Sequence, residues 1–131
     1  MTDTHVHPYA FDEAKAAIQR ASIAQKNAEE NIRQAFSAYG AAERAYRLAL
    51  AQEIIRLRAD GTPATVCQDL AKGEKHVAEL RFKRDIAEGV KEAASSSLWR
   101  HTADRRELEQ LITWSMRTAP DGQMDEFSEG R

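Results

Sequence analysis

"LRADGTPATVCQDLAKGEKHVAELR", Leu57–Arg81, interrupts two long helix-forming segments, and its reading decides the fold. Gly61 suits the position just past a helix end, where the chain commonly takes a left-handed conformation. Thr62 is placed to cap a following helix, and Pro63 suits that helix's first position, where a missing N–H loses no hydrogen bond. Gly73 either ends a short helix of about two turns or only bends it. The stretch reads as the corner at which a long helix turns back.

On its N-terminal side, from Phe11 to Ala59, only Gly40 opposes a helix, and Asp12 and Glu13 suit the positive end of the helix dipole. Small and apolar residues step by three and four through Ile18, Ala21, Gln25, Ala28, Ile32, Ala35, Tyr39, Ala42, Tyr46 and Ala49. This is a heptad-like stripe in which one position is mostly Ala. It shifts by one residue and widens near Leu50, Ile54 and Leu57. Such a helix would run about 74 Å at 1.5 Å per residue, so it needs a partner of similar length.

The segment from Glu74 to about Thr118 supplies that partner. Val77, Leu80, Ala87, Ala94, Leu98, His101, Leu108, Ile112 and Ser115 share one stripe. Gly89 and Ser95–Ser97 weaken local propensity without ending the pattern. The expectation is an all-α fold, a long antiparallel helical hairpin of coiled-coil type spanning residues 10–118. It comprises a helix over 11–59, a corner over 60–73 with a short helix, and a helix over 74–118. A flexible arm (1–9) precedes it, and a flexible acidic tail (119–131) follows. Facing Leu57 with Val77 makes paired residue numbers sum to about 134. That register sets Tyr46 level with Glu88 and Gly89, Tyr39 opposite Ser95–Ser97, Phe36 with Leu98 and Ile18 with Met116. It also sets Glu29 and Glu30 beside Arg105 and Arg106.

The totals agree with such an object. The 131 residues suffice for one domain, and 31% are charged. The 42% hydrophobic fraction is largely alanine, so an ordinary globular core is hard to assemble. A formal net charge of −2 gives no global electrostatic case for nucleic acid or membrane. One cysteine fits a reducing compartment, and no apolar run approaches the roughly 18 residues of a membrane span. The opening "MTDTHVHPYAFDE" lacks the basic and apolar regions of a signal peptide. A soluble cytoplasmic protein is expected.

No residue set points to catalysis. Cys67 and His76, nine apart on helical segments, point in different directions, and no third group orients the imidazole. His5 and His7 lack the further ligands of a zinc site. His101 falls on the inner stripe and reads as a hydrogen-bonded half-buried group, with a pH switch as the minor alternative. Acids such as Glu29, Glu30, Glu43, Glu53 and Asp85 read as solvated faces and i,i+4 pairs, Glu43–Arg47 among them. No phosphate-loop, metalloprotease or nucleophile-elbow motif occurs. The expectation is a protein that is not an enzyme and needs no metal or cofactor.

Two surfaces remain as candidates. Phe82, Ile86, Gly89/Val90 and Ala93 form a second apolar stripe. With Leu48, Leu111, Trp99 and Trp114 it exceeds what the inner stripe can bury, and Phe82, Ile86, Val90, Trp99 and Trp114 are the candidate partner-binding residues. The simplest partner is a second copy, giving a dimeric four-helix bundle, and a further unidentified protein is expected beside it. The alternative is nucleic acid, with Lys72, Lys75, Arg81, Lys83 and Arg84 as candidate phosphate contacts. Residues 56–85 hold seven bases against five acids, and the corner loosely imitates a helix-turn-helix. Its would-be reader helix, however, opens with "EKHVAEL", where Glu74 and Glu79 are expected to face solvent.

"YRLALAQEIIRLRADGTPATVCQDLAKGEKHVAELRFKRDIAEG", with the later "LEQLITWSM", resembles a family of small helical proteins of tailed phages and prophages. Members have a Tyr-containing first helix, a Gly-Thr/Pro corner and a second helix with a Leu-rich end. The resemblance spans roughly residues 40–116 and brings no catalytic residues. It implies a phage-type accessory role, as an adaptor or inhibitor of a protein complex, or else near recombination or replication.

Overall fold

A computed structural model describes residues 11–117, which form three helices: α1 (Phe11–Ala59), α2 (Ala64–Gly73) and α3 (Lys75–Arg117). The fold is all-α. The arm and acidic tail, with His5 and His7, lie outside the described residues. Two compact units are present. One is Ala28–Leu98, and the other combines residues 11–27 with 99–117 among those described.

In the unit Ala28–Leu98 the corner is built by backbone hydrogen bonds. Gly61 takes φ +87, and its N–H donates to the Arg58 carbonyl at 3.1 Å. The Thr62 N–H donates to the Leu57 carbonyl at 3.0 Å. This pair of bonds satisfies carbonyls that the end of α1 leaves open, and it needs the left-handed residue at 61. Thr62 does not cap α2. Pro63 occupies the N-cap with φ −59 and ψ 140, and no side chain bonds the first turn. Thr62 is instead spent on closing α1.

Gly73 is the last residue of α2, and the break itself falls on Glu74, whose extended backbone (ψ 137) separates the two helices. The Glu74 carboxylate turns inward along the chain and accepts from the Val77 N–H at 2.9 Å, capping α3. Its expected solvent-facing role is therefore corrected. A carboxylate here neutralises amide groups that a helix start leaves unpaired.

The core of this unit is small: Tyr46, Ala49 and Val77 are buried, with Leu50 and Leu80 packed against them. Val77 is only 1% exposed. α2 closes one end, burying Cys67 and Ala71, with the Cys67 sulfur 3.6 Å from the Ile54 carbonyl. That contact explains why the α1 stripe widens at Leu50, Ile54 and Leu57, all half-buried: α2 as well as α3 packs there. Farther from the corner, Ala28 and Ala35 are buried and Ala42 is half-buried, each seven residues from the next. Alanine at a repeating seam position lets two backbones approach closely.

The order of contacts in this unit is antiparallel. Val77 packs near Tyr46 and Ala49, Arg84 lies over Tyr46, and Lys91 lies over Tyr39 and Phe36. The Arg84 and Lys91 pairs have residue numbers summing to 127 or 130, one to two helical turns from the expected 134. Tyr39 accordingly faces Lys91 rather than Ser95–Ser97, Tyr46 faces Arg84 rather than Glu88 and Gly89, and Phe36 faces Lys91 rather than Leu98. The shift follows from α2, which occupies the end of α1 with Cys67 beside Ile54, so that α3 first meets α1 lower down, Val77 packing at Tyr46 and Ala49 rather than at Leu57.

In the other unit, Ala14 is buried and Ala21 is half-buried. Arg105 donates to Gln25 at 3.0 Å and to Glu109 at 3.1 Å. In the unit Ala28–Leu98, Glu30 accepts from Arg33 and Gln34 on its own helix.

Candidate functional site

The stripe positions read from the α3 sequence omit 84, 91 and 105, each of which completes a seven-residue spacing from Val77 through Leu98 to Ile112. Cations stand at all three. Arg84 is the most constrained. Its side chain is 20% exposed, its guanidinium sits 4.6 Å from the Tyr46 ring centre, and it pairs with Asp85 at 2.8 Å and Glu43 at 3.6 Å. The hydrogen bond to Asp85 raises its pKa further, outweighing the opposing effect of burial. Arg84 is thus part of the seam and leaves the set of free phosphate-contacting cations. Lys91 plays the same part over Tyr39, with its nitrogen 4.3 Å from the ring centre. A cation over an aromatic face keeps a charge in a half-buried seam without a matching acid.

The corner cations are also partly committed. Arg56 is held by Glu53 and by Asp60, and its hydrogen bond lowers the pKa of Glu53. Arg58 donates to the Thr62 carbonyl at 3.2 Å. Lys75, Arg81 and Lys83 are exposed and Lys72 is half-exposed. Three of the seven bases counted in the sequence therefore serve the fold.

Positions around the seam sort the rest of the surface. Taking Tyr46 and Val77 as first positions (a) of their heptads, antiparallel packing brings the c and g positions of both helices to one side. The b and e positions share the other. On the c/g side of α1 stand Asn31, Gln34, Ala38, Ala41, Ala45, Leu48, Gln52 and Ile55, all exposed and all uncharged. On the same side of α3, Ile86, Val90 and Ala93 continue the apolar surface, and Ser97 follows. Charge enters there only at Glu79 and Lys83, near the corner end. The b/e side carries Glu29, Arg33, Glu43, Arg47, Arg81, Asp85, Glu88 and Glu92. Phe82 borders the apolar side from the outer edge of α3 and is 65% exposed.

The structure thus joins three of the five predicted partner-binding residues, Phe82, Ile86 and Val90, to one surface. Of its α1 half, sequence reasoning singled out only Leu48. The signal for Ala38, Ala41 and Ala45 was the absence of charge at c and g from residue 31 to 55. Trp99 (78% exposed) and Trp114 (65% exposed) belong to the other unit. There a groove beside Trp114 is lined by Arg106, Glu109, Gln110, Thr113 and Arg117, all from α3. It is a gap between side chains of one helix. His101 is half-buried on that unit's part of α3.

Among the described residues no three or more His, Cys, Asp or Glu side chains gather as a metal site. No described helix is long and apolar enough to cross a membrane. No family model, no curated protein and no solved structure matches the chain.

Proposed function

We propose that this protein is a non-enzymatic interaction module that docks through the apolar side of the unit Ala28–Leu98. One observation supports this most directly: a continuous uncharged surface drawn from α1 and α3, with Leu48, Ile86 and Val90 each more than half exposed. Contiguous apolar surface of this kind is costly in water and marks sites that another macromolecule covers. The resemblance to small helical phage proteins supplies a setting, in which such a module serves as an adaptor or inhibitor of a complex.

A photo-crosslinking amino acid introduced at Ile86, and separately at Glu92 on the charged side, tests the reading in the producing cell. Irradiation is expected to give a discrete protein adduct from position 86 and little from 92. Equal adducts from both, or none from 86, would remove it.

A further inference from the structure

We infer that α2 is a latch that leaves the end of α1 as a unit while α1 and α3 stay folded and paired. Both long helices are terminated without it. The last carbonyls of α1 are met before α2 begins, by the Gly61 and Thr62 N–H groups, and the Arg58 guanidinium bonds the Thr62 carbonyl. α3 is started after α2 has ended, by the Glu74 carboxylate on the Val77 N–H. Unseating α2 therefore leaves neither α1 nor α3 with a newly unmet end.

The seat itself is slight. Cys67 and Ala71 are the buried side chains of α2, and both are small. Its larger apolar side chains, Val66 and Leu70, are 44% and 54% exposed. Among the described residues no ion pair joins α2 to either long helix, and no side chain caps its first turn. Its side-chain bond to α1 is the weak one from the Cys67 sulfur to the Ile54 carbonyl, at 3.6 Å. Ten residues are too few for a stable helix in water, so α2 unwinds once it leaves. α1 and α3, by contrast, are joined beyond it by Tyr46, Ala49 and Val77, and by Arg84 with Glu43. Segments with few buried apolar contacts open first. Opening bares the Cys67 thiol, 2% exposed when α2 is seated. It also uncovers the end of α1, where Ile54 and Leu57 are half-buried beside the exposed Ile55. The open form thus offers more apolar surface at the corner than the closed one.

Labelling of Cys67 by methyl methanethiosulfonate in the intact native chain, timed by mass spectrometry, tests this. Cys67 is the chain's one cysteine, so the label has a single address. The expected rate exceeds, by at least about tenfold, the rate that global unfolding allows, as fixed by a denaturation curve. Arg84→Met weakens the seam and should leave that rate unchanged. Gly73→Ala should slow it about two- to fivefold, because alanine favours the helical end of α2 and its methyl group would meet nothing within 4 Å. Amide hydrogen exchange should likewise be faster across 64–73 than around Tyr46 and Val77. Labelling at the global rate, with Arg84→Met accelerating it about fivefold, would overturn the inference. So would a rate indifferent to Gly73→Ala, or exchange in α2 as slow as at Tyr46.

Discussion

Within Ala28–Leu98, two sides of the same helix pair have opposite characters. The b/e side spends its charges inside the chain: Glu43 pairs with Arg47 on its own helix and lies 3.6 Å from Arg84 across the seam. Asp85 pairs with Arg84, and the Glu74 carboxylate caps α3. The c/g side makes no such internal arrangements and leaves Leu48, Ile86 and Val90 in water. Both sides rest on one seam, so their difference lies in side chains and not in backbone geometry. One side is laced by ion pairs within the chain, and the other leaves a run of apolar side chains exposed.

The strongest way to break this comparison is to remove the seam both sides share. Tyr46 is 5% exposed, packs against Ala49 and Val77, and carries Arg84 over its ring. Tyr46→Ala is expected to cost about 3–5 kcal/mol, the usual range for truncating a buried aromatic. A chemical denaturation curve checks this, and a loss under 1 kcal/mol would mean that the small core does not organise the pair. Next in size is the cross-helix cation. Arg84→Met should cost about 1 kcal/mol, from the lost ring contact and ion pairs. Arg47→Met, at an exposed pair within α1, should cost less than about 0.5 kcal/mol. Equal losses would show that the charged side contributes nothing across the seam.

The smallest effect sharpens the charged side at its corner end. Hydrogen bonds from the Val77 and His76 amides hold the Glu74 carboxyl below its ordinary range. A depressed folded pKa stabilises the protein at pH values above the unfolded pKa, and that stability is lost as pH falls through the folded value. Glu74→Gln should therefore lower the melting temperature slightly at pH 7. The gap to the parent protein should close as pH drops below the ordinary glutamate range near about 4.3. A gap that persists at low pH would show that Glu74 acts through packing instead.

Much of this was legible in the residues. The stripes of α1 and α3 were read position by position. Every predicted stripe residue from Ile18 to Ala49 and from Val77 to Ser115 is buried or half-buried. The α1 boundaries were legible as well, because Gly61 closes α1 through backbone bonds that only a few residues permit. The register was not. Alanines recurring every seven residues look alike after a slip, so a pattern with that period cannot choose among its own repeats. The seam cations were missed for a related reason. Arg84, Lys91 and Arg105 sit at seam spacing, but charge argues for solvent until an aromatic ring or an amide is found facing it.

The residues alone thus determined an all-α chain, the two long helices, the corner between them and an excess of apolar surface on α3. These follow from local propensity, periodicity and turn chemistry, each of which acts within a few residues of sequence. Only the tertiary structure decided which turn of α3 meets which turn of α1. With that it placed Arg84 over Tyr46 and brought Ala38, Ala41, Ala45 and Leu48 of α1 to the same side as Ile86, Val90 and Ala93 of α3. A surface shared between distant segments exists only once their register is set, and that register depends on contacts between residues far apart in the chain, such as Val77 with Tyr46 and Arg84 with Glu43.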